Sequence, residues 1–221
     1  MKRIIFIVSV LLTLSSYAAA QESAGGDTPQ QRYKVGDYYH ANGLEGVVFE
    51  VDESGQHGKI VSMTQSEPLC WCGDAYEDGV YWGADDRYDG AKNCALILQK
   101  IKPKKVPRYQ AIHWCLQLGE GWYLPAELEL ASLMLNEEVL TAVNKTLIEH
   151  GGTRLVTLGE DVNFKQYRYW TSTEAQHRYA PNVNTYDRIQ YACIISMKQG
   201  KVTRHGQKGM WKCTVRAVAV F

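Results

Sequence analysis

The sequence has no excess of either charge and contains little proline or phenylalanine. Its 221 residues include 24 Lys and Arg against 24 Asp and Glu, with only 6 Pro and 4 Phe. Balanced charge excludes a strongly basic nucleic-acid binder, and a hydrophobic content of 45% excludes a disordered chain. No apolar stretch after residues 4–14 is long enough to cross a bilayer, so we expect no transmembrane segment.

The signatures of common catalytic and metal sites are also missing. The six histidines form neither H-E-x-x-H nor H-x-H, and the chain has no G-x-S-x-G, no P-loop and no G-x-G-x-x-G. A lectin-type calcium site needs carboxylates, but the nearest triplet is Ala180-Pro181-Asn182, and Trp211-Lys212-Cys213 places a cation where an acid is needed. We therefore expect a protein without catalytic residues, cofactor or metal ion.

The N-terminus has the pattern of a secretory signal peptide. A basic start at Lys2 and Arg3 precedes an apolar run over residues 4–14 and a stretch of small residues ending at Ala20. We expect a signal peptide over residues 1–20, a flexible spacer over 21–32 and a single domain over 33–221. Such a protein would be exported to the periplasm, the outer surface or the medium.

Export gives the six cysteines a particular meaning, because disulfides form in oxidising compartments. An even number of cysteines in an exported chain favours disulfides, although fifteen pairings are open and free buried thiols are the alternative. The close pair Cys70 and Cys72 could also bind copper in a redox enzyme. The disulfide candidates are Cys70, Cys72, Cys94, Cys115, Cys193 and Cys213.

Hydrophobic periodicity predicts an α+β fold. Two β-branched runs over residues 46–51 and 58–63 flank a turn and predict a hairpin. Apolar residues at helical spacing predict three helices, and alternating patterns predict late strands. The helices are expected at residues 109–116, 128–135 and 139–148, and the strands at 167–172, 191–197 and 213–221.

Residues 66–92 have no regular period and are predicted to form a long loop, which is often functional. Exposed rings there could stack on sugars while neighbouring charged groups bind hydroxyls. The alternative is that the rings fold back and pack over the sheet. The candidate ligand-binding residues are Trp71, Tyr76, Tyr81, Trp82, Asp85, Asp86, Arg87 and Tyr88.

Several sequence motifs occur in a fixed order along the chain. They include an opening hairpin, a helix ending at Gly119 and a terminal Val215-Arg216-Ala217-Val218 segment. The most specific motifs are Gly121-Trp122-Tyr123-Leu124-Pro125 with Glu127 and Leu128, and Tyr169-Trp170-Thr171-Ser172-Thr173-Glu174. Together they resemble the DUF1566 (Lcl C-terminal) family of exported bacterial proteins, and the resemblance covers most of the chain after the signal peptide.

The resemblance implies a C-type lectin-like fold: a mixed antiparallel sheet with two or three flanking helices and long loops. It assigns Trp122, Trp170 and Arg216 to the scaffold. It also implies a bridge from Cys115 to Cys213, with Cys193 as the rival partner, which leaves Cys94 to pair with Cys70 or Cys72.

The function implied by the resemblance is an adhesion module that recognises glycans or a surface protein. The family's fold is related to that of the formylglycine-generating enzyme, so a copper or redox enzyme using Cys70 and Cys72 is an alternative. A structural subunit of a surface assembly is a second alternative.

Overall fold

Three antiparallel sheets and four α-helices form the described part of this computed structural model, which comprises residues 31–73, 80–175 and 191–221. The strands are β1 (Tyr38–Ala41), β2 (Leu44–Val51), β3 (Gly58–Ser62), β4 (Leu69–Cys70), β5 (Arg168–Ala175), β6 (Tyr191–Ser196), β7 (Lys201–Gln207), β8 (Lys212–Cys213) and β9 (Val218–Val220). The helices are α1 (Gly90–Lys100), α2 (Gln110–Gln117), α3 (Glu127–Met134) and α4 (Glu137–Glu149), with a 3-10 helix at Pro103–Arg108. The chain is therefore a mixed α+β protein. The predicted signal peptide and spacer residues 21–30 lie outside the described residues.

The first sheet confirms the predicted hairpin and brings the last strand to it. Its strand order is β1-β2-β3-β9. Val47 pairs with Val61 across the hairpin, and both side chains are fully buried. Ile60 pairs with Ala219 of β9, so the C-terminal strand completes the N-terminal sheet.

The predicted continuous strand over residues 213–221 is wrong, because the chain changes partners within it. β8 pairs with β4, whereas β9 pairs with β3. Between them, the Val215 amide donates to Ser66 Oγ at 2.8 Å, and the Ala217 carbonyl accepts from the Ser62 amide at 3.0 Å. The end of β3 at Ser62 and the loop residue Ser66 thus bond the chain between β8 and β9.

Helix α1 begins inside the region predicted as loop and is the α-helix that sequence analysis missed; strands β1, β4 and β7 were not predicted either. Asp89 caps it by accepting from the Lys92 amide at 2.8 Å. Its buried face includes polar Asn93 beside Cys94 and Ile97, so the hydrophobic period is weak. Gly90 is required at the start, because a Cβ there would lie 2.5 Å from the Ala126 nitrogen and the Leu124 carbonyl oxygen.

The three predicted helices are confirmed as α2, α3 and α4. Glu129 of α3 joins several elements through one buried carboxylate. Its Oε2 accepts from the amides of Ala126 and Gly90 at 2.8 and 2.9 Å. Its Oε1 accepts from the Tyr123 hydroxyl at 3.0 Å and lies 3.2 Å from Lys59 Nζ. This carboxylate therefore fixes α1 and α3 against the first sheet.

The third sheet, of order β5-β6-β7, carries the candidate site. Trp170 of β5 is fully buried, and its Nε1 donates to the Leu69 carbonyl at 2.9 Å. The other two scaffold residues that the resemblance assigned, Trp122 and Arg216, are also buried. Buried side chains on β5 thus hold this sheet against the core, and the backbone of β5 bonds the neighbouring segments at Ala84, Pro125 and Thr214.

Candidate functional site

The segment at residues 80–89 is attached to strand β5 by backbone hydrogen bonds. Glu174 Oε2 accepts from the amides of Trp82 and Ala84 at 2.8 and 2.9 Å. The Glu174 amide in turn donates to the Ala84 carbonyl at 2.7 Å. A buried carboxylate that accepts two amide protons fixes this backbone firmly, because charge-assisted hydrogen bonds are the stronger kind.

A second attachment point lies one residue earlier on β5. Thr173 Oγ1 donates to the Asp86 carbonyl at 2.9 Å, and Asn93 Nδ2 donates to the same oxygen at 2.7 Å. The Asp86 carboxylate accepts from the Tyr88 amide at 2.9 Å and lies 2.9 Å from Lys92 Nζ. The hydrogen bond from the Tyr88 amide and the Lys92 ammonium lower the pKa of Asp86. Asp86 therefore shapes the turn.

Between and beyond these attachments, the segment presents aromatic and polar groups to solvent. Tyr88 is 69% exposed and is the most accessible ring of the segment. Tyr81 and Trp82 are half-buried, and Asp85 is exposed. The Tyr81 hydroxyl donates to Asp85 Oδ2 at 2.7 Å, while Trp82 Nε1 donates to the Tyr109 hydroxyl at 3.0 Å. These bonds fix the orientation of the side chains.

Two arginines converge on one buried carboxylate beside Tyr88. Arg87 Nε bonds Glu127 Oε1, and Arg204 of β7 lies 2.8 Å from the same oxygen. The Glu127 side chain is fully buried, whereas the two arginine side chains are 48% and 55% exposed. The carboxylate bonds both guanidinium groups, and about half of each arginine side chain is accessible to solvent. Such a pair can bind a carboxylate, sulfate or phosphate.

The Glu127 carboxylate is ionised despite its burial. Burial raises its pKa, but the adjacent Cys193 thiol and the two arginines outweigh that effect, so the pKa is lowered overall. Burial and the same carboxylate raise the pKa of the Cys193 thiol. Cys193 is therefore a protonated thiol at neutral pH and a poor nucleophile.

Trp71 does not take part in this exposed surface, contrary to the prediction that it contacts a ligand. Its side chain is fully buried, and its Nε1 donates to the Thr171 carbonyl at 2.9 Å. The Lys208 ammonium lies 4.4 Å from its ring centroid, and the Tyr109 ring lies at 5.9 Å. Trp71 is therefore a packed residue, as in the alternative prediction that the rings fold back over the sheet. Tyr76, another predicted contact, lies outside the described residues.

Cys70, Cys94, Cys115, Cys193 and Cys213 are free thiols in the described structure. Cys70 is half-buried, with its Sγ 3.5 Å from the Gly209 carbonyl, and Cys72 is buried. Cys213 pairs in register with Leu69, next to Cys70, and the Cys94 thiol acts electrostatically on Cys115. The predicted disulfides therefore stay predictions. Across the described ranges, no three His, Cys, Asp or Glu side chains group in a way that could hold a metal ion.

The residues that sequence analysis missed are four charged groups: Glu127, Glu174 and Lys208, which are buried, and Arg204, which is exposed. Glu127 and Glu174 stand inside the two motifs that resemble the family, each among residues that are otherwise apolar or hydroxyl-bearing. An acid in such a setting is a signal of a buried interaction. Lys208 and Arg204 lie in a polar stretch that gives no such signal.

Comparison with known proteins adds no relative. A scan against protein-family models finds no match to this chain, and a search of curated proteins finds none. Within the residues that the structure describes, no helix combines the length and the apolar character needed to span a membrane.

Proposed function

We propose that this chain is an exported, non-catalytic module that binds a glycan or another surface ligand through residues 81–88 and Arg204. The proposal includes the C-type lectin-like fold that the resemblance to the DUF1566 family implies. The arrangement of early hairpin, flanking helices and returning C-terminal strand is compatible with that fold. The observation that carries the proposal is the convergence of Arg87 and Arg204 on Glu127 beside exposed Tyr88.

The chemistry of this surface suits a sugar that carries an acidic group. The Tyr88 ring can stack on the apolar face of a pyranose, as aromatic rings do in amphipathic sites. The partly exposed guanidinium groups of Arg87 and Arg204 can bind the acidic group. Exposed Asp85 can accept from sugar hydroxyls.

The fixed backbone favours binding because little order must be gained when the ligand arrives. Glu174 and Thr173 hold the segment from below, and the buried Glu127 carboxylate orients both arginines. Preorganised groups lose less conformational entropy on association. A small site can then bind usefully without a deep cavity.

A glycan array with the purified chain tests the proposal. We expect binding to acidic glycans, with a loss of about tenfold for Tyr88→Ala, since partial burial of an aromatic ring against a sugar contributes on the order of 1–2 kcal/mol. Arg204→Gln should also weaken binding, because it removes one partly exposed cation. Phe164→Ala is the matched control: it removes a ring that is 54% exposed elsewhere on the surface and should leave affinity unchanged.

Two results would contradict the proposal. Full affinity in both Tyr88→Ala and Arg204→Gln would remove the site assignment. An array with no bound glycan, together with copper held by Cys70 and Cys72, would favour the redox alternative. Thermal unfolding of each variant shows whether a loss of binding reflects loss of the fold.

A further inference from the structure

A second surface gathers aromatic rings around one arginine at the start of β5. The Arg168 guanidinium lies 4.6 Å from the ring centroid of Trp211, 5.2 Å from that of Tyr167 and 5.7 Å from that of Phe164. Arg168 and Trp211 are half-buried, Tyr167 is buried, and Phe164 is 54% exposed. The rings therefore hold the guanidinium at the surface, and no acidic side chain in the described ranges forms an ion pair with it.

Lysines surround this cluster. Lys165 Nζ lies 5.6 Å from the Phe164 ring centroid, and Lys198 Nζ lies 5.9 Å from that of Tyr167. Ser196 pairs with both Arg168 and Lys201, so these two cations share one face of the third sheet, two strands apart. Exposed Lys212 follows Trp211 in the chain.

Exposed apolar side chains lie among these cations. Met210, next to Trp211, is 66% exposed, and Leu158 is 47% exposed. Leu158 lies against the β6–β7 turn, because a Cβ on Gly200 would be 3.4 Å from its Cδ2. We call this surface the basic apolar face; its members are Leu158, Phe164, Lys165, Tyr167, Arg168, Lys198, Lys201, Met210, Trp211 and Lys212.

The cations of this face have no internal counter-charge in the described residues. None of Lys165, Arg168, Lys198, Lys201 or Lys212 belongs to an ion pair there. In the adjoining loop, Glu160 is engaged by Arg154, and Asp161 is an exposed acid. The face thus carries a surplus of positive charge next to unburied apolar groups.

We propose that the basic apolar face docks on an anionic lipid bilayer. Lysines near an anionic membrane are attracted to its headgroups, and exposed Phe, Met and Leu side chains can enter the boundary with the acyl chains. Tyr and Trp are enriched at that depth. The face therefore offers both charge and apolar groups to a surface that accepts both.

The composition favours lipid over two other partners. Lysine is depleted in the cores of protein–protein interfaces, whereas four of the five cations here are lysines. A sulfated polysaccharide would engage the cations but leave exposed Phe164 and Met210 without an apolar partner. A bilayer satisfies both sets of side chains.

Vesicle co-sedimentation of the purified chain tests this inference. One set of vesicles contains phosphatidylglycerol mixed with phosphatidylcholine, and the other contains phosphatidylcholine alone. We expect binding to the first set, weakened by added salt, and little binding to the second. All variants keep residues 1–30 unchanged, so differences between variants report on the face and not on the apolar N-terminus.

Two double variants separate the charged and apolar contributions. Lys198→Gln with Lys201→Gln should lower the partition coefficient at least about fivefold, and Phe164→Ser with Met210→Ser should lower it by a similar factor. The matched controls are Lys102→Gln with Lys104→Gln, two exposed lysines before α2, and Ile148→Ser, which is 61% exposed on α4. The controls should bind as the parent does.

Three outcomes would overturn the inference: no binding to anionic vesicles, equal losses in the controls, or variants of the face that lose heparin binding while keeping vesicle binding. The last outcome would identify a polyanion site instead. The face shares no residue with the proposed ligand site. Retained glycan binding in the face variants therefore separates failure of this inference from failure of the proposed function.

Discussion

The Lys208 ammonium bonds the Glu174 carboxylate where neither side chain has any exposure to solvent. Glu174 also holds the amides of Trp82 and Ala84, and Lys208 lies over the Trp71 ring. Burial lowers the pKa of Lys208, and its pairing with Glu174 opposes that effect in part. One buried ion pair thus joins β5, the chain after β7 and the backbone of the proposed ligand segment.

Replacing one partner of this ion pair should lower the free energy of unfolding more than replacing both partners. Lys208→Met leaves an unpaired buried carboxylate and should lower the free energy of unfolding by about 3–5 kcal/mol. Adding Glu174→Gln should recover part of that loss, because no isolated charge remains. Urea unfolding of the two single variants and the double variant measures the coupling. Additive losses would show that the two groups do not interact.

Replacing Trp71 and replacing Tyr88, which lie near opposite ends of the predicted loop, should affect stability differently. Trp71→Ala removes a fully buried ring and should destabilise the fold by about 3–5 kcal/mol. Tyr88→Ala removes an exposed ring and should change stability by no more than about 0.5 kcal/mol. Chemical denaturation of both variants gives the comparison. Similar losses in the two would mean that Tyr88 is packed and cannot serve as a ligand platform.

Acid should weaken the contact between Arg154 and Glu160. The Arg154 guanidinium and the Thr157 amide lower the pKa of Glu160 from its ordinary value near 4.5 to about 2. A carboxylate whose pKa is lowered in the folded state stabilises the fold fully at pH values above its ordinary pKa. That stabilisation is lost as the pH falls from about 4.5 towards 2. Glu160→Gln should therefore be less stable than the parent at pH 7 and differ from it less at low pH. A difference that grows with acidity would contradict the assignment.

Arg216 is a buried cation whose Nε and one terminal nitrogen find no hydrogen-bond partner among the described residues, while the other nitrogen bonds the Thr153 carbonyl. Burial lowers its pKa to about 10. Arg216→Met keeps much of the volume without the charge, so we expect stability equal to the parent or higher. Arg216→Ala leaves a cavity and should cost about 2–5 kcal/mol. If both variants are strongly destabilised, the charge itself supports the fold.

The thiols should differ in reactivity according to burial. Burial raises the pKa of both Cys94 and Cys213 to about 12, whereas the pKa of the half-buried Cys70 thiol is raised less. In the reduced native protein, alkylation followed by mass spectrometry should label Cys70 first. Earlier labelling of Cys94 would contradict the structure. The same mapping without reduction tests the predicted disulfides.

Residue pattern alone was enough to predict the hairpin, three of the four helices and the α+β class. The hairpin strands are β-branched runs on either side of a turn, and the helices repeat their apolar positions at helical spacing. Helix α1 was missed because its buried face includes the polar residue Asn93. The final strand was mistaken for one element because alternation does not show where a strand changes its partner.

Tertiary structure decided which residues of the predicted ligand segment are exposed. Trp71 and Tyr88 belong to the same aperiodic stretch, yet one is fully buried and the other is 69% exposed. Local sequence could not separate them, because the groups that bury Trp71 are Lys208 and Tyr109, far away in the chain. Arg87 and Arg204 likewise converge on Glu127 through contacts between segments that are distant in the chain. Sequence determines local periodicity, whereas contacts between distant segments determine the exposure and charge of a site.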